Sequence, residues 1–289
     1  PAAMHRQNPR IFSWITVAEL SEQNATGEIA RIYTEIRELC AVPYVSSLQR
    51  HLATRTGWLE WAWAIVRPVF VDGSAQTQAW QLATALDIQP LPSLSRSALR
   101  LLGVDAVGEQ AIRDICDSFI RVSPTNLMLS GLLRQVLEGQ LPSGPERSND
   151  NWTPPLSLPA LPPLVHPEDL TADQRAVLLQ FGTEVDGQPF VPGLYRMLAH
   201  WPAYLAHLAT VLVPRFEDAE TTACCQSLLQ RLDAAIPDLF ASLPAQDVCP
   251  PAPPRAEYGA VLEVLNRYRK TSPEMVVLGT LIRDALPSQ

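Results

Sequence analysis

A stretch of 45 residues occurs twice in this chain, and that duplication limits the fold more than any other feature. Residues 43–87 align without a gap on residues 189–233, an offset of 146. Thirteen of the 45 positions are identical, where roughly 3 would match at average amino-acid usage. They are Pro43, Val45, Leu48, Arg50, Leu52, Ala53, Leu59, Pro68, Phe70, Asp72, Leu82, Leu86 and Asp87. Downstream, Ser123-Pro124 recurs as Ser272-Pro273 at an offset of 149, and Leu129, Leu132, Arg134 and Leu137 recur as Leu278, Leu281, Arg283 and Leu286. Upstream, Glu19-Leu20-Ser21 recurs as Asp169-Leu170-Thr171. So long a period is far above that of solenoid repeats. It predicts two tandem copies of one domain, residues 1–137 and 168–289, packed as an internal pseudo-dimer.

Each copy reads as helices. Ile29, Ile32, Tyr33, Ile36 and Leu39 form one apolar face of a helix over about 26–40. Further helices are predicted over about 45–54, 58–67, 76–86, 93–102 and 107–120. Ser123 is then expected as an N-cap, with Pro124 at the first position of the next helix. Prolines number 27 against 13 glycines, and they fall between periodic segments, as stops between helices. No run of alternating β-branched residues predicts a sheet, so the expected class is all-α. Residues 138–167, rich in Pro, Ser and Asn and without an amphipathic period, read as an extended linker.

Composition removes several functions. The net charge of −8 comes without any Lys/Arg run, which argues against nucleic acid and anionic membrane surfaces. No apolar run approaches the ~18 residues of a membrane span. No signal peptide opens the sequence, and Met4 reads as the natural start. Five cysteines at irregular spacing (Cys40, Cys116, Cys224, Cys225 and Cys249) fit a reducing cytoplasm and no disulfide framework. His5, His51, His166, His200 and His207 show no metal-ligand spacing, and phosphate-loop, dinucleotide and nucleophile-elbow motifs are absent.

The duplicated helical layout, the Pro-aromatic-Val openings at Pro43-Tyr44-Val45 and Pro189-Phe190-Val191, and the run Leu198-Ala199-His200-Trp201-Pro202 resemble the group I, or DehI-like, 2-haloacid dehalogenases. The resemblance runs from about residue 17 to 286. It implies an active site between the repeats, in which an Asp of the second repeat activates water, an Asn of the first repeat holds that water, and aromatic residues line the pocket. It implies no cofactor and no metal. In this register Tyr44 matches a pocket aromatic and Ser47 stands where a second one is expected. The catalytic Asp falls on Leu194, the Ser before it on Gly193, and the Asn on Ile120. Direct hydrolysis needs a base within hydrogen-bond reach of the water, and no acid lies anywhere in 187–204.

The candidate site is therefore assembled from what remains. Arg50 and Arg196, equivalent in the two copies, could clamp a carboxylate. Tyr44, Ser46, Ser47, Ser123, Asn126, Tyr195 and Tyr268 would face an inter-repeat cleft and hydrogen-bond a ligand. Asp186 and Glu184, just upstream of the second motif, are the candidates for a relocated base. Asp72/Asp218 and Asp87/Asp233 read as helix caps, Arg134 and Arg283 as structural charges, and Trp58, Trp61, Trp63 and Trp80 as core aromatics. Three functions stay open: a divergent family member with an inter-repeat pocket for a small organic acid or apolar metabolite, a cofactor-independent dehalogenase with a relocated carboxylate, and a non-catalytic binding or scaffold protein. The expected partner is a small molecule, and the expected assembly is a monomer with an internal pseudo-twofold or a homodimer.

Overall fold

The computed structural model describes residues 18–145, 152–185, 188–245 and 250–288. In chain order the helices are α1 (Gly27–Cys40), α2 (Ser47–Leu52), α3 (Trp58–Val71), α4 (Ser74–Ala83), α5 (Arg96–Leu101), α6 (Ala106–Leu137), α7 (Ala172–Leu179), α8 (Gly193–Leu198), α9 (Pro202–Leu212), α10 (Ala219–Ala241) and α11 (Tyr258–Asp284). The fold is all-α. The aligned sequences carry the same succession of elements: α2, α3 and α4 lie at the positions of α8, α9 and α10. One local departure from the predicted helix-only reading is a two-stranded antiparallel ribbon, β1 (Thr183–Val185) with β2 (Gln188–Phe190), in the register Thr183↔Phe190. It is too short to show as alternation in the sequence.

The larger departure concerns proline. Ser123 does not cap a helix. α6 runs unbroken through Pro124, and α11 likewise runs through Pro273. A proline inside a helix removes one N–H and strains against the carbonyl four residues back. Side chains bond two carbonyls in the turn before Pro124. The Trp80 indole donates to the Arg121 carbonyl at 2.9 Å, and Thr125 Oγ1 donates to the Val122 carbonyl at 2.8 Å. Pro68 is also inside a helix, in the last turn of α3, so that helix runs past its predicted end at 67. Of the expected caps, Asp218 does cap α10, accepting from Thr221 N at 2.6 Å. Asp233 lies within α10 instead and pairs with Arg269.

α6 and α11 form the most extensive helix pair in the structure. Buried Arg269 of α11 sits at this pairing. It donates to the Leu127 carbonyl at 3.0 Å and to Ser130 Oγ at 3.3 Å, both on α6, and it pairs with Asp233 of α10. Gly131 leaves room here for α10, because a Cβ there would meet Ile236 Cδ1 at 2.6 Å, and it would also lie 3.2 Å from Arg269 Nη1.

Two apolar cores flank the pair, and neither belongs to one sequence half. The first joins α1 to α4 and the C-terminal half of α6 (Val122, Leu129, Leu133) with Leu228, Leu232 and Ile236 of α10 and Val261 and Leu265 of α11. The second joins α7 to α9 and the C-terminal half of α11 (Leu278, Leu281) with Leu99 of α5 and Ile112 and Ile115 of α6. Each long helix thus gives most of its C-terminal half to one core and its N-terminal half to the other. The tryptophans are structural: Trp58, Trp61 and Trp63 are buried, with Trp58 packed edge-on against Trp61 and Tyr258. The Pro-rich segment touches both halves: Leu158 N donates to the Ala41 carbonyl at 3.2 Å and Arg121 Nη1 reaches the Ala41 and Leu156 carbonyls at 3.0 Å, while Gly144 N donates to the Leu243 carbonyl at 2.7 Å and His200 Nε2 lies 2.9 Å from the Pro163 carbonyl.

Candidate functional site

The short helix α2 is held on both sides of its charged face. The Leu20 amide donates to the Arg50 carbonyl at 3.0 Å, and His51 Nδ1 lies 2.9 Å from the Ala18 carbonyl. That fixes the extended segment before α1 along α2, and with it Glu19. One Glu19 carboxylate oxygen accepts from Ser47 Oγ and the other pairs with Arg50 Nη2 at 2.8 Å. Ser47 Oγ is also 2.6 Å from the Tyr268 hydroxyl on α11. Burial, opposed by this bond to Ser47, pushes the Tyr268 phenol up to about 12.

Arg196 reaches the same field from the second repeat. Burial lowers its pKa from the ordinary value, Glu19 and Glu168 oppose that shift, and Arg50 adds to it. Its Nε donates to the Val165 carbonyl at 3.2 Å. Tyr44, beside α2, has its ring 6.0 Å from Phe119 of α6. Its hydroxyl is buried without a hydrogen-bond partner, as is Arg50 Nε. Burial raises the Tyr44 phenol far above its usual range.

The structure thus gathers Ser47, Arg50, Arg196 and Tyr268 around Glu19, with Tyr44 near Arg50. Ser46 and Asn126 are brought together separately, through buried Gln49: Ser46 Oγ donates to the Gln49 carbonyl oxygen, and Gln49 Nε2 donates to Asn126 Oδ1 at 2.8 Å. Ser123 is buried within α6. Tyr195 belongs to the second core rather than to this group. It is 1% exposed and stacks on Phe181 at 4.7 Å. Its hydroxyl has no hydrogen-bond partner, and burial, with Glu274 nearby, raises its pKa well above the ordinary value. Asp186 lies outside the described residues. Glu184 pairs with Pro189 in the ribbon, and its side chain is not among those described.

Two contacts at this junction answer each other. Gly193 is the offset-146 counterpart of Ser47, and Tyr268 the offset-149 counterpart of Phe119. Ser47 meets Tyr268, while a Cβ on Gly193 would lie 3.4 Å from the Phe119 ring. One version of the contact is polar and the other apolar. Leu194 and Leu48 are both fully buried, one in each core, and Ile120 packs against Gly279. An open cleft of about 240 Å³ lies elsewhere, between α7 and α9, lined by Leu170, Val177, Pro202 and Leu205 among others, and it includes none of the site residues selected from the sequence. Among the described residues no cluster of metal-ligating side chains occurs, and no helix is long and apolar enough to cross a membrane.

No family model matches the chain. A curated protein from Alcaligenes xylosoxydans xylosoxydans, a configuration-inverting 2-haloacid dehalogenase, is 25% identical over 232 residues, 78% of this chain and 76% of that protein. The chain is similar to this DehI-like haloacid dehalogenase over three quarters of its length. Solved structures share the fold of this chain. A D-2-haloacid dehalogenase mutant with D-2-CPA superposes with a TM-score of 0.70 at 17% identity, covering 92% of this chain and 94% of that one. A D-2-haloacid dehalogenase with L-LA gives 0.69 at 18% identity, covering 92% and 95%.

Sequence reasoning missed Glu19, Gln49 and Arg269. Only Glu19 left a signal, the recurrence of Glu19-Leu20-Ser21 as Asp169-Leu170-Thr171.

Proposed function

We propose that this chain is a divergent dehalogenase-family protein that holds a small organic acid at the junction of two repeats, 1–137 and 168–289 joined by 138–167, without running the family's ordinary hydrolysis. The observation that carries this reading is the convergence of Arg50 and Arg196 beside two buried donors without partners, the Tyr44 hydroxyl and Arg50 Nε. A carboxylate supplies paired acceptor oxygens that match a guanidinium fork. A buried donor left unpaired is costly, so these atoms favour an acceptor arriving from outside.

The relatives lend support. One is a 2-haloacid dehalogenase, and related structures hold D-2-CPA and L-LA. The argument against ordinary hydrolysis rests on Leu194. The resemblance puts the base there, and the side chain is apolar and fully buried. Leucine offers no lone pair to take the proton of an attacking water.

The test pairs calorimetry with halide release, using D- and L-2-chloropropionate and lactate on the full chain. Binding without sustained halide release is the expected result. Halide release abolished by Asp186→Asn or Glu184→Gln would establish a relocated carboxylate base instead. Failure of all these acids to bind would sink the reading and leave a scaffold protein.

A further inference from the structure

We infer that Glu19 is a built-in competitor for the carboxylate site, an internal acid that a ligand must displace from Arg50 and Ser47. The inference rests on the reading of the junction as an organic-acid site. Its geometry is already that of a bound carboxylate: one oxygen on Ser47 Oγ, the other 2.8 Å from Arg50 Nη2, with Arg196 and Tyr268 within its field. These are the donors an incoming acid would use.

The arrangement suits exchange. The backbone around Glu19 is pinned by the Leu20–Arg50 and Ala18–His51 bonds. The side chains of Glu19 and Arg50 are 27% and 22% exposed, so solvent reaches the pair and screens it. The Glu19 side chain can therefore swing out while the segment stays in place. Among the described residues of the second half the contact of Arg196 is different. There Arg196 donates to a backbone carbonyl, that of Val165, which cannot leave the site by a side-chain rotation.

Displacement exchanges one carboxylate for another on the same cations, so ligand affinity becomes a difference between two similar interactions. The occupied fraction of Glu19 lowers the apparent affinity in proportion. An uncharged analogue of the ligand gains nothing from Glu19's departure. Glu19 thus sets both how tightly the site binds and how strongly it prefers anions.

The test measures binding of D- and L-2-chloropropionate, lactate and uncharged lactamide to the full chain and to Glu19→Gln, Glu19→Ala and Glu19→Gln/Arg50→Gln. The expected result is acid binding about tenfold tighter in both single variants, no change for lactamide, and loss of the gain in the double variant. Acid binding in the wild type that is equal or stronger than in both single variants overturns the inference and leaves the organic-acid site standing. No acid binding in any of them refutes the site itself, and the competitor with it. Binding seen only in the Glu19 variants supports the inference in its strongest form. If the single variants lose their fold by circular dichroism, Glu19→Asp keeps the charge one methylene further from Arg50 and should bind acids with intermediate affinity. Affinity unchanged in that variant overturns the inference too.

Discussion

Leu194→Asp restores the residue type that the family resemblance places at this position, and it should damage the protein without restoring chemistry. Leu194 is fully buried among Phe181, Leu198, Leu208 and other members of the second core. Removing its apolar burial costs about 1.5–3 kcal/mol. The new carboxyl has no partner in that core, so it stays protonated at pH 7, which costs about 4 kcal/mol more given a reference pKa of about 3.9. The sum, about 6 kcal/mol, is comparable to the whole stability of many domains, about 5–15 kcal/mol. At roughly 2–4 °C per kcal/mol the melting temperature should fall by roughly 12–24 °C. The sign with pH follows from a carboxyl whose folded pKa lies above its unfolded one. The protonation part of the penalty is absent below about pH 3.9, grows as pH rises, and levels off above the folded pKa. Melting curves of wild type and variant by circular dichroism should therefore lie closer at pH 4 than at pH 7, with roughly 3–12 °C remaining at the lower pH from the lost apolar burial. A variant that melts within about 2 °C of wild type at pH 7, or that releases halide from 2-chloropropionate, would refute the placement of this side chain in the core.

Arg269→Met should lose about 1–3 kcal/mol, read by urea unfolding, because the Leu127 carbonyl and Ser130 Oγ stay buried while Asp233, 46% exposed, can be hydrated. Trp80→Phe should lose about 1 kcal/mol by leaving the Arg121 carbonyl beside Pro124 without its donor. Glu35 is pushed up by burial but pulled further down by Arg67 and Trp63, so its pKa lies below the ordinary value. It therefore stabilises the fold above its unfolded pKa and loses that contribution as pH falls through the folded one, and Glu35→Gln should flatten the acid limb of the melting profile. Tyr268 should ionise only near pH 12 in an alkaline absorbance titration, and Ser47→Ala should move it higher still, since the Ser47 bond is what lowers it.

The duplication made most of the architecture legible. Matched positions such as Arg50/Arg196 and Leu48/Leu194 stand on two short helices of equal length, α2 and α8. Pro124 and Pro273 misled because the usual rule makes proline a stop, while the Trp80 indole that bonds the nearby Arg121 carbonyl is more than forty residues from Pro124. No local pattern announces such a partner. Tyr195 misled for a related reason. Its aromatic type suits a ligand wall or a core equally well, and only packing against Phe181 decides. Within the site, the cations were visible as a repeated pair. Glu19 was not, because it lies in an extended segment whose position depends on backbone bonds to α2 rather than on any periodicity.

The pairing of α6 with α11 has a consequence for how the chain reaches its native state. On the order of 120 residues separate the end of one helix from the start of the other. Closing so long a loop carries an entropy cost that grows as about (3/2)RT ln n, and contacts this distant in sequence slow folding. Both cores take residues from each long helix, so neither can be completed until the two helices meet. Half of the chain expressed alone would leave Ile112 and Ile115 of α6, or Val261 and Leu265 of α11, without the surfaces that bury them. Assembly should thus behave like the docking of two partners held on a tether, with the final pairing of α6 and α11 setting the rate.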